Sequence, residues 1–167
     1  MGIINQKITL DSKPENIWKF ITEPENFPKY VYGYAHGKTT SPNAIGIGAS
    51  YEWYGKLGPF KLRSTEKIIG WQEQKYVAYT GKLFGVAFNS SMDVKEVKQD
   101  RTILTVSIEY KVPVYLGGKV VDFLLIKWIV KGYIRKSLII LKADKCFGLG
   151  HSPLNPLCPS SKTEKEI

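Results

Sequence analysis

From Tyr32 to Val112 the sequence keeps a two-residue rhythm of apolar and polar side chains, broken only by short turn signals. Side chains along a strand alternate between faces, so such a run commits the chain to half-buried sheet. The turns Ser41-Pro42-Asn43, Leu57-Gly58-Pro59, Gln72-Glu73-Gln74, Phe84-Gly85 and Lys98-Gln99-Asp100 bound strands at 33–40, 47–56, 60–70, 75–83, 86–97 and 102–112. Connections this short between consecutive strands imply an antiparallel meander. One face collects Ala49, Tyr51, Trp53, Phe60, Leu62, Ile68, Val77, Tyr79, Val86, Phe88, Met92, Val94, Leu104, Val106, Ile108, Tyr110 and Val112, with Ser64, Glu66 and Ser90 among them. The other face is mostly polar.

The flanks supply the rest. Ile4 to Leu10 alternates and reads as a further strand. Asp11 or Ser12 is placed to cap a helix whose first turn holds Pro14 and Glu15, and Ile17, Trp18, Phe20 and Ile21 make that helix amphipathic. A second short helix is expected around Pro24 to Tyr30, anchored by Phe27 and Tyr30. After Pro113 and Gly117-Gly118 the chain reads as one long helix, about Lys119 to Lys142, the one element large enough to cover the apolar face. Residues 1–144 are expected to form one domain and 145–167, rich in Gly, Pro, Ser and Lys, a flexible polar tail.

The long helix requires a membrane test. Lys127, Lys131, Arg135 and Lys136 lie near its middle, and four central cations cost about 10–14 kcal/mol against about 5–9 returned by its apolar residues. It is therefore expected in a water-soluble protein. Lys127, Lys131, Arg135 and Lys142 share one quadrant of the helical wheel, the expected solvent stripe, with Leu124 and Leu138 inside it. The chain carries a net charge of +9, and this helix is the densest part of it. Contact with an anionic membrane through Lys127, Lys131 and Arg135 follows as one expectation, docking on a larger partner as another. Nucleic acid fits poorly, because no aromatics interleave with the basic stripe.

The apolar face of the sheet is rich in Tyr and Trp and carries Ser64, Ser90 and Glu66. A plain core avoids buried hydroxyls and carboxylates, whereas a ligand cavity uses a few of them. The alternative is that the hydroxyls reach the rim and Glu66 faces solvent or a salt-bridge partner. If it is inward, Glu66 is a weak catalytic candidate, an acid or base toward a carbonyl or enol ligand.

The order of one strand, two short helices, six strands and a long helix resembles the helix-grip fold of the START/Bet v 1-like (SRPBCC) superfamily, in particular its polyketide cyclase/dehydrase and lipid-transport group. The resemblance spans residues 3–143. It rests on Ile8-Thr9-Leu10-Asp11-Ser12-Lys13-Pro14-Glu15-Asn16-Ile17-Trp18, on Pro24-Glu25-Asn26-Phe27-Pro28-Lys29-Tyr30, on Ile47-Gly48-Ala49 and on Leu116-Gly117-Gly118. It implies an α+β fold, a curved seven-stranded antiparallel sheet wrapped around the C-terminal helix, with an apolar tunnel between them for a lipid, quinone or polyketide-like molecule. Tunnel-lining candidates are Tyr51, Trp53, Leu62, Tyr79, Phe88, Met92 and Tyr110 from the sheet, and Leu125, Trp128, Ile129 and Gly132 from the helix. The family has no universal catalytic motif, so a carrier or sensor is expected, with a cyclase or aromatase as the enzymatic alternative.

Other chemistry is sparse. His36 reads as an ordinary strand histidine. Cys146, His151 and Cys158 lack a fourth ligand at zinc spacing, so no metal is expected, and no dinucleotide, P-loop or nucleophile-elbow motif occurs, so no cofactor is expected either. Two cysteines are too few for a disulfide scaffold and no basic-then-apolar leader opens the chain, which points to the cytoplasm.

Overall fold

The computed structural model describes residues 2–83, 85–112 and 127–143. Strands β1 (Gly2–Leu10), β2 (Tyr34–Thr39), β3 (Ser50–Leu57), β4 (Phe60–Gln72), β5 (Tyr76–Leu83), β6 (Val86–Lys98) and β7 (Arg101–Tyr110) form one antiparallel sheet. Its order is β1-β7-β6-β5-β4-β3-β2, so the six later strands are the expected meander and β1 closes on β7. The strand after Pro42 starts at Ser50, not at 47. Gly46 and Gly48 hold φ values of 95° and 88°, which extended backbone does not admit. In β4 a register shift between Ile68 and Gly70 leaves Ile69 without a partner on β5, outward-facing, while Ile68 stays in the core.

The helices are α1 (Pro14–Thr22), a single 3-10 turn at Pro24–Asn26, α2 (Phe27–Tyr30) and α3 (Lys127–Ala143). Neither Asp11 nor Ser12 caps α1. Its N-cap position is Lys13, without a side-chain cap, and Pro14 follows directly. Asp11 instead lies 3.6 Å from Arg101, and the Ser12 carbonyl accepts a 2.8 Å hydrogen bond from Thr102 Oγ1, tying the chain to β7.

Ile17, Trp18, Phe20 and Ile21 of α1, Tyr30 of α2 and Ile134, Leu138 and Leu141 of α3 pack on Ile4, Ile68, Val77, Tyr79, Leu104 and Val106 of the sheet. Each fully buried Ile or Leu contributes roughly 1.5–3 kcal/mol. A polar clasp pins α1 to the β4–β5 turn. The indoles of Trp18 and Trp71 meet edge to face at 4.8 Å, and both donate to the Glu73 carboxylate, at 2.9 and 2.8 Å.

The described part of the long helix lies over β1 and against α2. Its orientation corrects the wheel drawn from sequence. Leu138, expected in the cationic stripe, is 7% exposed and belongs to the core. The packed edge is Ile134, Leu138 and Leu141, flanked by Val130 and Ser137, and the cations Lys127, Lys131, Arg135 and Lys142 lie beside it on the solvent side. Trp128, Ile129, Ile139 and Ile140 are left outward. Leu124 and Leu125, the rest of the stretch before Lys127 that is expected to be helical, and the 145–167 tail with Cys146, His151 and Cys158 lie outside the described residues.

Candidate functional site

Cross-strand register shows which side chains share the concave face. One row runs Tyr51, Glu66, Gly81, Phe88, Tyr110 from β3 to β7. The neighbouring rows hold Trp53 with Ser64 on one side, and Ile68, Tyr79, Ser90 and Ile108 on the other. Glu66 is therefore inward. The solvent-facing alternative does not hold, because Glu66 alternates with Arg63, Thr65 and Lys67 on the outer face.

The carboxyl of Glu66 is held from one side. Trp53 Nε1 donates to Oε1 at 2.7 Å, and Ser64 Oγ lies 3.2 Å from the same oxygen and 3.3 Å from the Lys82 carbonyl. Burial pushes the Glu66 carboxyl above the usual range, opposed by the Trp53 and Ser64 hydrogen bonds. Its charge is felt by hydroxyls from three further elements. Burial followed by Glu66 raises Tyr133 of α3, and burial first, with Glu66 adding, also raises Tyr30 of α2 and Tyr79 of β5. Tyr51 is pushed up to about 12 by burial, then Glu25 and Glu66.

The Tyr hydroxyls are not equivalent. Tyr30 donates to the Ile21 carbonyl at 2.9 Å and Tyr51 to the Ala44 carbonyl. Tyr133 Oη is buried with no hydrogen-bond partner among the described residues. A buried hydroxyl without a partner is uncommon enough to require explanation.

Gly81 shapes the same place. A Cβ there would come within 2.5 Å of the Thr65 carbonyl, 2.8 Å of Phe88 Cζ and 3.0 Å of Glu66 Cγ. The missing side chain lets Phe88 lean across β5 toward Glu66.

The concave face is unevenly filled. Leu62, Ser64, Ile68, Tyr79 and Tyr110 have almost no accessible surface, while Trp53, Glu66, Phe88, Ser90, Met92 and Ile108 beside them keep some. A groove of about 420 Å³ opens between the 3-10 turn with α2 and strands β2 and β3, lined by Phe27, Pro28, Tyr34, Gly37, Tyr51 and Trp53 among others. Trp53 stands between the two regions. It lines the groove, stacks on Tyr34 at 6.2 Å and hydrogen-bonds Glu66.

Of the residues expected around a tunnel, the seven from the sheet all face this concave side. The helix residues do not join them. Trp128 is 70% and Ile129 46% exposed, pointing away from the sheet, because the helix packs through Ile134, Leu138 and Leu141. A Cβ on Gly132 would also meet open space. Phe60, expected inward, is 65% exposed at the tip of the β3–β4 hairpin. Tyr133 and Gly81 are not singled out by the sequence, and Tyr30 is expected there only as an apolar anchor of its helix. A glycine inside an alternating strand is a signal of close approach that could have drawn attention to Gly81.

On the convex face Glu52, 8% exposed, accepts from Tyr54 Oη at 2.9 Å and Arg63 Nε at 2.7 Å, with Lys38 Nζ 3.4 Å away. The Tyr54 and Arg63 hydrogen bonds hold its carboxyl below the usual carboxylate range. His36 stacks on Tyr54 at 4.9 Å on the same face. Among the described residues no cluster of His, Cys, Asp or Glu could hold a metal, and no helix is long and apolar enough to cross a membrane.

An antiparallel meander gripping a C-terminal helix, with aromatic and polar side chains on its concave face, defines the helix-grip class. The model of the polyketide cyclase/dehydrase and lipid transport family matches residues 1–144, and the chain belongs to that family. No curated protein matches it. Among solved structures it is similar to a protein from Chromobacterium violaceum, at TM-score 0.63 and 16% identity over 86% of this chain and 96% of that one. Ginseng major latex-like protein 151 from Panax ginseng aligns at TM-score 0.67 and 15% identity over 85% and 95%. The di-domain ARO/CYC BexL of the BE-7585A biosynthetic pathway aligns at TM-score 0.70 and 12% identity over 85% of this chain and 45% of that two-domain one. At such identities the likeness is one of fold.

Proposed function

We propose that the chain binds a hydrophobic small molecule, of lipid, quinone or polyketide type, against the concave face of the sheet, and acts as its carrier or sensor. The observation that carries this reading is the accessible patch formed by Trp53, Glu66, Phe88, Met92 and Ile108 inside an otherwise packed face. Apolar surface left accessible within a packed face is covered favourably by an apolar ligand, at about 25 cal/mol per Å² removed from water. The family match supports the same class of ligand. Native mass spectrometry of freshly purified protein tests it. A co-purifying small molecule is expected, released on denaturation, and a uniformly ligand-free protein that also binds no apolar probe overturns the reading.

A second observation supports a place of action. The outward face of α3 carries Trp128, Ile129, Ile139 and Ile140 beside Lys127, Lys131 and Arg135. Apolar side chains bordered by cations suit the interface of an anionic bilayer. Co-sedimentation with phosphatidylserine-containing vesicles at low salt is expected, weakened by K131E/R135E and by raised salt. Equal recovery with neutral vesicles, or none with either, counts against it.

A further inference from the structure

The concave site, if it is a ligand site as proposed above, has a polarity that narrows the ligand. Glu66 places a carboxyl among aromatic side chains, and both nearby donors, Trp53 Nε1 and Ser64 Oγ, address Oε1. Oε2 receives no hydrogen bond among the described residues. The groups coupled to Glu66 are all hydroxyls, Tyr30 from α2, Tyr51 from β3, Tyr79 from β5 and Tyr133 from α3. No described cation answers the charge. Arg63 and Lys67 of the same strand, Lys82 of β5 and Lys38 of β2 stand on the convex face, in register with Tyr54, Thr80, Thr65 and Glu52. The cations of α3 are exposed.

We propose that the site takes a hydrophobic ligand bearing a protonated amine, its ammonium group donating to Glu66 Oε2. Burial works against the ionised form and the Trp53 and Ser64 hydrogen bonds work for it, so an ammonium beside Oε2 supplies the counter-charge that the described residues lack and draws the carboxyl to its ionised form. Its hydrogen bonds to a carboxylate are charge-assisted and about twice as strong as neutral ones. The unpartnered Tyr133 Oη offers a second acceptor on the helix side. A ligand ketone or carboxylate would instead set its own lone pairs against those of Oε2.

The test compares decylamine, decanol and decanoate at pH 7, below their aggregation thresholds, by displacement of a fluorescent apolar probe and by calorimetry. Decylamine is expected to bind about ten-fold tighter than decanol, with decanoate weakest. E66Q is expected to abolish the preference while decanol binding persists. The protein's net charge of +9 disfavours amines at its surface, so an amine preference lost in E66Q reports the interior. Decanol or decanoate binding as tightly as decylamine, or a preference that survives E66Q, overturns the amine assignment and leaves the hydrophobic-ligand reading standing. Binding of none of the three overturns both.

Discussion

The Trp53 indole donates a 2.7 Å hydrogen bond to Glu66, two residues beyond its direct partner Ser64 on the neighbouring strand, while Glu52, next to Trp53 in sequence, pairs with Arg63 on the opposite face of the sheet. Two glutamates on adjacent strands thus meet opposite environments.

Their contributions to stability have opposite pH dependence. The folded-state pKa of Glu66 is raised, so the folded state holds its proton longer, and stability falls as pH rises from the ordinary carboxylate value through the raised one. E66Q removes that loss. Its melting temperature is expected to exceed that of the wild type at pH 7 and to converge with it near pH 4, measured by calorimetry across pH.

Glu52 behaves in reverse. Its folded-state pKa is depressed, so its contribution is present above the ordinary carboxylate value and lost as pH falls through the depressed one. E52Q is expected to melt below the wild type at pH 7, with the gap closing under acid conditions in the same pH series.

Glu73 links two elements through the indoles of Trp18 and Trp71. E73A is expected to cost about 1–2 kcal/mol, the range for losing hydrogen bonds to a charged group at a partly exposed site. Urea denaturation measures it, and E73Q, which keeps a carbonyl acceptor, should lose less.

Gly81 has no room for a methyl group. G81A is expected to destabilise by about 1–3 kcal/mol through overpacking, and to weaken binding of an apolar probe by displacing Phe88 and Glu66. Equilibrium denaturation and probe titration read the two effects separately.

Membership of the helix-grip class was legible in the sequence because alternation fixes a half-buried strand strongly. The seven strands fall within a few residues of their expected bounds, and the larger shift, at Ser50, came from two glycines with positive φ. Glu66 stayed ambiguous because a slip of one residue exchanges the faces of a strand, and only the register with Tyr51 and Gly81 decides it. Trp128 and Ile129 were misplaced for a different reason. A helix apolar around most of its circumference does not announce which arc is buried, and the packing of Ile134, Leu138 and Leu141 on β1 and α2 chose it.

The two-sided character of β3 and β4 has a consequence for diversification. Under the proposed reading, positions 53, 64 and 66 can vary with the ligand while 52, 54 and 63, interleaved with them, continue to hold the outer surface together. On that reading the inner chemistry can change by a handful of replacements without rebuilding the exterior that other molecules encounter.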